Sequence, residues 1–70
     1  MPVSEQVAAA LNAQVGRELE AHLQYLSISS HFDAEALPSL TAFFAAQADE
    51  EHAHAMKFVH YVQDVGAHLA

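Results

Sequence analysis

The segment QADEEHAHAM (residues 47–56) places three consecutive carboxylates and two imidazoles in a stretch that is otherwise rich in alanine. At about 100° per residue, a helix through this segment puts Glu51 and His54 on a single face. The other residues of that face are Leu40, Phe44, Gln47, Phe58, Val62 and Val65. Glu51 and His54 therefore lie in the middle of a predicted core stripe, where an ionised carboxylate without a partner is costly.

The first half of the chain repeats this arrangement. Its apolar face is formed by Val7, Leu11, Tyr25 and Phe32, and Gln14 and Glu18 interrupt it. Ser4 is a suitable N-cap, Pro38 is tolerated only in a first helical turn, and Gly66 suits a C-terminal cap. These signals predict one helix over about residues 4–31 and a second over about 37–65. The short connection makes them antiparallel, so we expect residues 1–70 to form a single all-α hairpin domain.

Composition excludes several classes of function. The 70 residues carry nine acidic side chains against one Arg and one Lys, for a formal net charge of −7. No basic patch is available for nucleic acid or an anionic membrane. There are no cysteines and no signal-peptide pattern, and no apolar run approaches the length of a membrane span. We therefore expect a cytoplasmic protein.

The predicted hairpin is too thin to enclose a core. Two helices of roughly 28 residues are each about 42 Å long, and each contacts the other along one stripe only. A domain of this size buries only about 60% of the surface that its unfolded chain exposes, and it usually needs a disulfide, a bound metal or self-association to be stable. Without disulfides, we expect homodimerisation into a four-helix bundle, together with a bound metal.

Three metal-capable side chains are predicted to converge in one layer. Counted from a turn near residues 34–36, Glu18 lies about 17 residues back and Glu51 about 16 forward, with His54 one turn further on. Each residue alone is better explained by a neutral, hydrogen-bonded side chain or a solvated one, and only the three together favour a metal site. A two-fold dimer doubles the set to four Glu and two His, which is the di-iron carboxylate arrangement. Such donors suit Fe, or Mn and Zn as substitutes, whereas the absence of thiolate argues against a structural Zn or Fe–S site.

At these residues the sequence resembles the ferritin family. The pattern Asn12-Ala-Gln14-x-x-x-Glu18 followed by Tyr25 is similar to the first helix of cage-forming ferritins. The segments His31-Phe32-Asp33, Leu37-Pro38-x-Leu40 and Gln47-Ala-Asp-Glu-Glu-x-x-His54-Ala are similar to the following turn and second helix. The resemblance covers about residues 4–66, the first half of a ferritin subunit.

The resemblance implies a role for each residue of the layer. Glu18, Glu51 and His54 would be the ferroxidase ligands, with Glu51 bridging, and Tyr25 would hydrogen-bond a ligand or donate an electron. Residues expected to support the ligands or to line the path of iron are Gln14, Gln47 and Glu50. His22, one turn beyond Glu18, is a candidate for the same role or for an extra ligand. No haem is expected, because His52 occupies the position where bacterioferritins carry their haem methionine. His52, His60 and His68 are predicted to be solvated.

The missing second half of a ferritin subunit leaves alternatives open. We expect a ferroxidase that oxidises Fe(II) with O2 or peroxide at a site shared by two chains, for iron storage or detoxification. A second strip of Val15, Leu19, Leu23 and Leu26 would then allow a higher assembly. The alternatives are a non-enzymatic, metal-stabilised dimerisation module, and a truncated or engineered ferritin fragment without storage function.

Overall fold

The chain folds as a hairpin of two long helices. A computed structural model describes residues 3–70, which contain α1 (Glu5–Ala34) and α2 (Pro38–Asp64) joined by a turn over residues 35–37. The hairpin measures 51 × 15 × 11 Å, and no strand occurs within the described residues. The prediction of an all-α chain with two helices is confirmed.

Local capping explains where α1 begins and ends. The Ser4 Oγ atom accepts a hydrogen bond of 3.2 Å from the Val7 N–H, which satisfies a free donor of the first turn. At the other end Ala36 adopts the left-handed conformation with φ 56°. The Leu37 N–H then donates to the Phe32 carbonyl at 3.0 Å, which closes a Schellman turn. α1 therefore ends at Ala34. The sequence pattern had predicted an end near residue 31, about three residues earlier.

The same device ends α2. Gly66 has φ 76°, and the Ala67 N–H donates to the Val62 carbonyl at 3.0 Å. The chain then turns back towards α1, where the Asn12 amide holds it. Asn12 Nδ2 donates to the His68 carbonyl at 2.9 Å, and Asn12 Oδ1 accepts from the Ala70 N–H at 2.7 Å. The final residues are thereby fixed beside the first turns of α1.

Small side chains form the seam between the helices. Ala48, Ala55 and Val62 of α2 are spaced by seven residues and are at most 1% exposed. Val15 and Ser29 are the buried residues of α1. A seven-residue spacing keeps one stripe of each helix directed at its neighbour, as in coiled coils. Because the α2 stripe is mostly alanine, the two backbones approach closely.

Polar seam residues of α1 bond to the backbone of α2. Ser29 Oγ donates to the Thr41 carbonyl at 2.8 Å. His22 Nδ1 lies 2.6 Å from the Ala48 carbonyl oxygen. Since each side chain has a partner, both groups are placed in the seam without leaving an unsatisfied buried donor.

Most large apolar side chains lie outside this seam. Those that are more than a third exposed include Val7, Leu19, Leu23, Leu26, Ile28, Leu40, Phe43, Met56 and Tyr61. Despite this apolar surface, neither α1 nor α2 is apolar enough along its length to span a bilayer. The hairpin thus keeps two faces open on either side of a narrow core.

The alanine seam generates a stability prediction. Replacing Ala55 by Leu inserts a large side chain where the helices touch, and we expect it to lower the free energy of unfolding by about 1–3 kcal/mol. Thermal denaturation followed by circular dichroism measures the loss. Ala53→Leu is the matched control, because Ala53 is exposed on the same helix. An equal loss in both variants would contradict the assignment of the seam.

Candidate metal centre

Three side chains from the two helices meet on one open face of the hairpin. Glu18 comes from the middle of α1, and Glu51 and His54 stand one turn apart on α2. One ligand atom from each of the three lies within 4.8 Å of the other two. The layer expected from counting residues away from the turn is thus present in the fold.

The imidazole is about equally far from the two carboxylates. His54 Nδ1 is 3.7 Å from Glu18 Oε2 and 3.8 Å from Glu51 Oε2. The side chains of Glu18 and Glu51 are 16% and 21% exposed, whereas that of His54 is 49% exposed. The carboxylates are therefore largely shielded by the hairpin, and the site is open on the side of the histidine.

The two carboxylates titrate against each other. Hydrogen bonding with Glu51 is the main cause that lowers the pKa of Glu18, and the Gln14 amide lowers it further. The same contact with Glu18 raises the pKa of Glu51, and desolvation adds to that rise. The pair therefore favours a single shared proton or, in its place, a bound cation.

The orientation of Glu18 is set from the adjacent turn of α1. Gln14 Nε2 donates to Glu18 Oε1 at 2.9 Å. Arg17 donates to Gln14 Oε1 from Nε at 3.1 Å and from Nη2 at 2.7 Å. Because a guanidinium only donates, the amide oxygen must face Arg17 and the amide nitrogen must face the carboxylate. Glu18 Oε2 is left to face His54.

Aromatic rings border the site towards the turn. Tyr25 stacks on Phe44 with ring centroids 6.1 Å apart, and Phe32 stacks on Phe44 at 5.6 Å. These rings place an apolar wall on the same face as the carboxylates. Tyr25 is thereby held about two helical turns beyond Glu18 on α1.

A cavity of about 480 Å³ borders the site on its other side. Its lining consists of Leu11, Glu18, His54, Lys57, Phe58 and Tyr61. It is an open groove between apolar walls, with the carboxylate and the imidazole at its polar end.

The residues that were predicted to support the ligands or to line the path of iron differ in how close they lie to the group of three. Gln14 contacts Glu18 directly. His22 contacts the α2 backbone through Ala48 and lies outside the group of three. Gln47 is half-buried one turn before Glu51, and Glu50 is exposed.

Two cationic residues near the site were missed by sequence reasoning. Lys57 lines the groove beside Glu18, and Arg17 bonds to Gln14. The signal for Arg17 was its i, i+3 spacing from Gln14, which places the two side chains next to each other on a helix. Lys57 stands three residues beyond His54, so the same spacing points to it.

Comparison with known proteins agrees with this geometry. The family model for the ferritin-like domain matches residues 8–69. The chain belongs to the ferritin family. Its similarity to the ferritin heavy chain of Echinococcus granulosus is 41% identity over 59 residues, covering 81% of this chain and 34% of that protein.

Bacterial ferritins give a longer match. The bacterial non-heme ferritin of Staphylococcus aureus (strain USA300) is 35% identical over 66 residues, covering 94% of this chain and 40% of the relative. The bacterial non-heme ferritin of strain NCTC 8325 matches with the same identity and coverage. This member of the ferritin family therefore spans only 34–40% of the length of these relatives.

Because the two carboxylates repel each other, we expect this ferritin-family chain to become more stable when one of them is replaced by a neutral side chain and no metal is present. The raised pKa of Glu51 means that its ionisation destabilises the fold, so this penalty operates above that pKa and disappears as the pH falls through it. With chelator at about pH 7, we expect Glu51→Gln to melt at a higher temperature than the wild type. The difference should shrink towards about pH 4.

The matched control is Glu50→Gln, which removes the same charge from the neighbouring exposed position. We expect it to leave the melting temperature nearly unchanged. A Glu51→Gln variant that melts below the wild type at pH 7 in chelator would contradict the assigned repulsion.

Proposed function

We propose that this chain is an iron-binding ferroxidase that oxidises Fe(II) at a di-iron site formed across a homodimer. The observation that carries the proposal is the convergence of Glu18, Glu51 and His54 on one open face of a ferritin-family hairpin. Two carboxylates and one imidazole are donors suited to Fe(II). Iron is the substrate here, and its handling is proposed to take place in the cytoplasm.

A second copy is proposed because one hairpin supplies too few ligands. A two-fold axis beside the open face brings together four Glu and two His, which is enough to hold two cations. Four carboxylates also balance the charge of two Fe(II) ions. The half-exposed His54 and the groove beside it support this arrangement, because a partner helix has room to cover both.

The proposed chemistry follows from the ligands. Glu51 is the carboxylate proposed to bridge the two ions. Two Fe(II) ions each lose one electron, and the pair of electrons with two protons reduces O2 to hydrogen peroxide. The iron supplies the electrons, while the protein holds both ions, keeps His54 oriented and admits the oxidant. Tyr25, fixed against Phe44, is proposed to hydrogen-bond a ligand or to donate an electron.

A second candidate is a dimerisation module in which the metal is only structural. The observation that favours it is the small core: in residues 3–70 the buried hydrophobic residues are Val15, Ala48, Ala55 and Val62. A domain with so little buried apolar surface gains much from a metal that binds only the folded dimer.

Rapid mixing of anaerobic protein and Fe(II) with oxygenated buffer tests the ferroxidase. We expect fast oxidation, followed optically, that saturates near two irons per dimer. Glu51→Ala should oxidise iron no faster than buffer, because it removes the proposed bridge. Asp49→Ala, which removes an exposed carboxylate two residues earlier on α2, is the control and should retain the wild-type rate. Wild-type kinetics in Glu51→Ala would refute the proposal.

Two further measurements separate the enzyme from the structural module. The melting temperature with and without chelator reports the stabilisation by metal, and an oxygen electrode reports turnover. We expect both a rise in melting temperature on metal binding and O2 consumption on adding Fe(II). A rise in melting temperature without any O2 consumption would favour the structural module instead.

A further inference from the structure

A second pair of metal-capable side chains lies beside the seam, apart from the group of three. His22 of α1 and His52 of α2 have ring centroids 5.4 Å apart, with the ring planes inclined at 52°. Neither belongs to the candidate metal centre. His52, predicted to be solvated, is exposed but has its ring against His22. We call these two residues the histidine pair.

The backbone fixes the tautomer of His22. Its Nδ1 atom lies 2.6 Å from the Ala48 carbonyl oxygen, which is only an acceptor. Nδ1 must therefore carry the proton, and Nε2 carries the free lone pair. A histidine whose second ring nitrogen donates to a carbonyl is the usual form of a metal-binding histidine, because that bond sets the ring orientation and raises the basicity of the ligand.

The separation of the rings suits chelation. Two imidazoles that share a tetrahedral ion, with metal–nitrogen bonds of about 2.0–2.1 Å, have ring centres about 5 Å apart. The observed 5.4 Å is close to this value, and the inclined planes differ from face-to-face stacking. Each ring comes from a different helix, so one ion bound to both rings would link α1 to α2.

We propose that the histidine pair binds a borderline divalent ion of the Zn(II) class, with water completing its coordination. Two neutral imidazoles without a carboxylate favour Zn(II), Ni(II) or Cu(II) over Fe(II). The net charge of −7 attracts a cation to the surface without supplying a specific ligand. Bound there, the ion cross-links α1 to α2 at the seam, and it does so independently of the ferroxidase site.

Zn(II) titration calorimetry tests the site. The background is a Glu18→Gln/Glu51→Gln protein, so that the carboxylates of the candidate metal centre do not contribute. We expect one Zn(II) per chain, with an affinity that falls about tenfold or more in His22→Gln and in His52→Gln. Helicity measured by circular dichroism should persist in both variants, so that a loss of affinity is not a loss of fold. His60→Gln, an exposed histidine on α2, is the control and should bind as the background protein does.

Nitrogen NMR of the imidazoles locates the ion directly. Before metal is added, His22 should show the Nδ1–H tautomer, and Zn(II) should shift its Nε2 together with the ring of His52. Loss of Zn(II) binding in only one of the two variants would refute the proposal that both histidines bind the same ion. Equal weakening by His60→Gln, or shifts spread over all the histidines, would mean adventitious surface binding and would overturn it too.

Discussion

The fold brings two carboxylates, Glu18 and Glu51, into contact across a pair of helices that bury little apolar surface against each other. Ligand atoms of this pair and of His54 lie within 4.8 Å of one another. Like charges so close disfavour joint ionisation, and the opposite pKa shifts of the two carboxylates express this conflict. One bound proton neutralises one of the two negative charges, and a divalent cation neutralises both. The proposed iron chemistry, the proposed dimer and the response of stability to pH all derive from that constraint.

The narrow seam explains why the site lies on an open face. Alanine at positions 48 and 55 lets α1 and α2 approach closely, but such small residues bury little apolar area. The larger side chains, among them Leu40 and Tyr61, are left exposed, and Tyr61 lines the groove that also contains Glu18. Apolar walls around an incomplete set of ligands are what a second hairpin would cover, so assembly and metal binding are proposed to support each other.

The hairpin and its ligand layer were predictable because they depend on local signals. Helical periodicity, Pro38 and Gly66 mark the two helices, and counting from the turn aligns the three ligand candidates. The end of α1 was not predictable, since alanine at position 36 gives no sign that it will adopt a left-handed conformation. Nor was the contact between His22 and His52, because it depends on helix separation and on rotamers that no periodicity contains. The sequence thus predicted which residues lie at the same height along the hairpin. Which of them are in contact across the seam depends on the packing of the helices.

Two copies of the hairpin are proposed to enclose two iron ions between paired glutamates and histidines. Native mass spectrometry of the protein loaded with Fe(II) under anaerobic conditions measures chain number and iron number in the same particle. The account predicts a species with two chains and two irons, or whole multiples of it, and its loss to iron-free protein in Glu18→Ala. A single chain that holds its iron alone, or a dimer whose iron content is unchanged in Glu18→Ala, would contradict it.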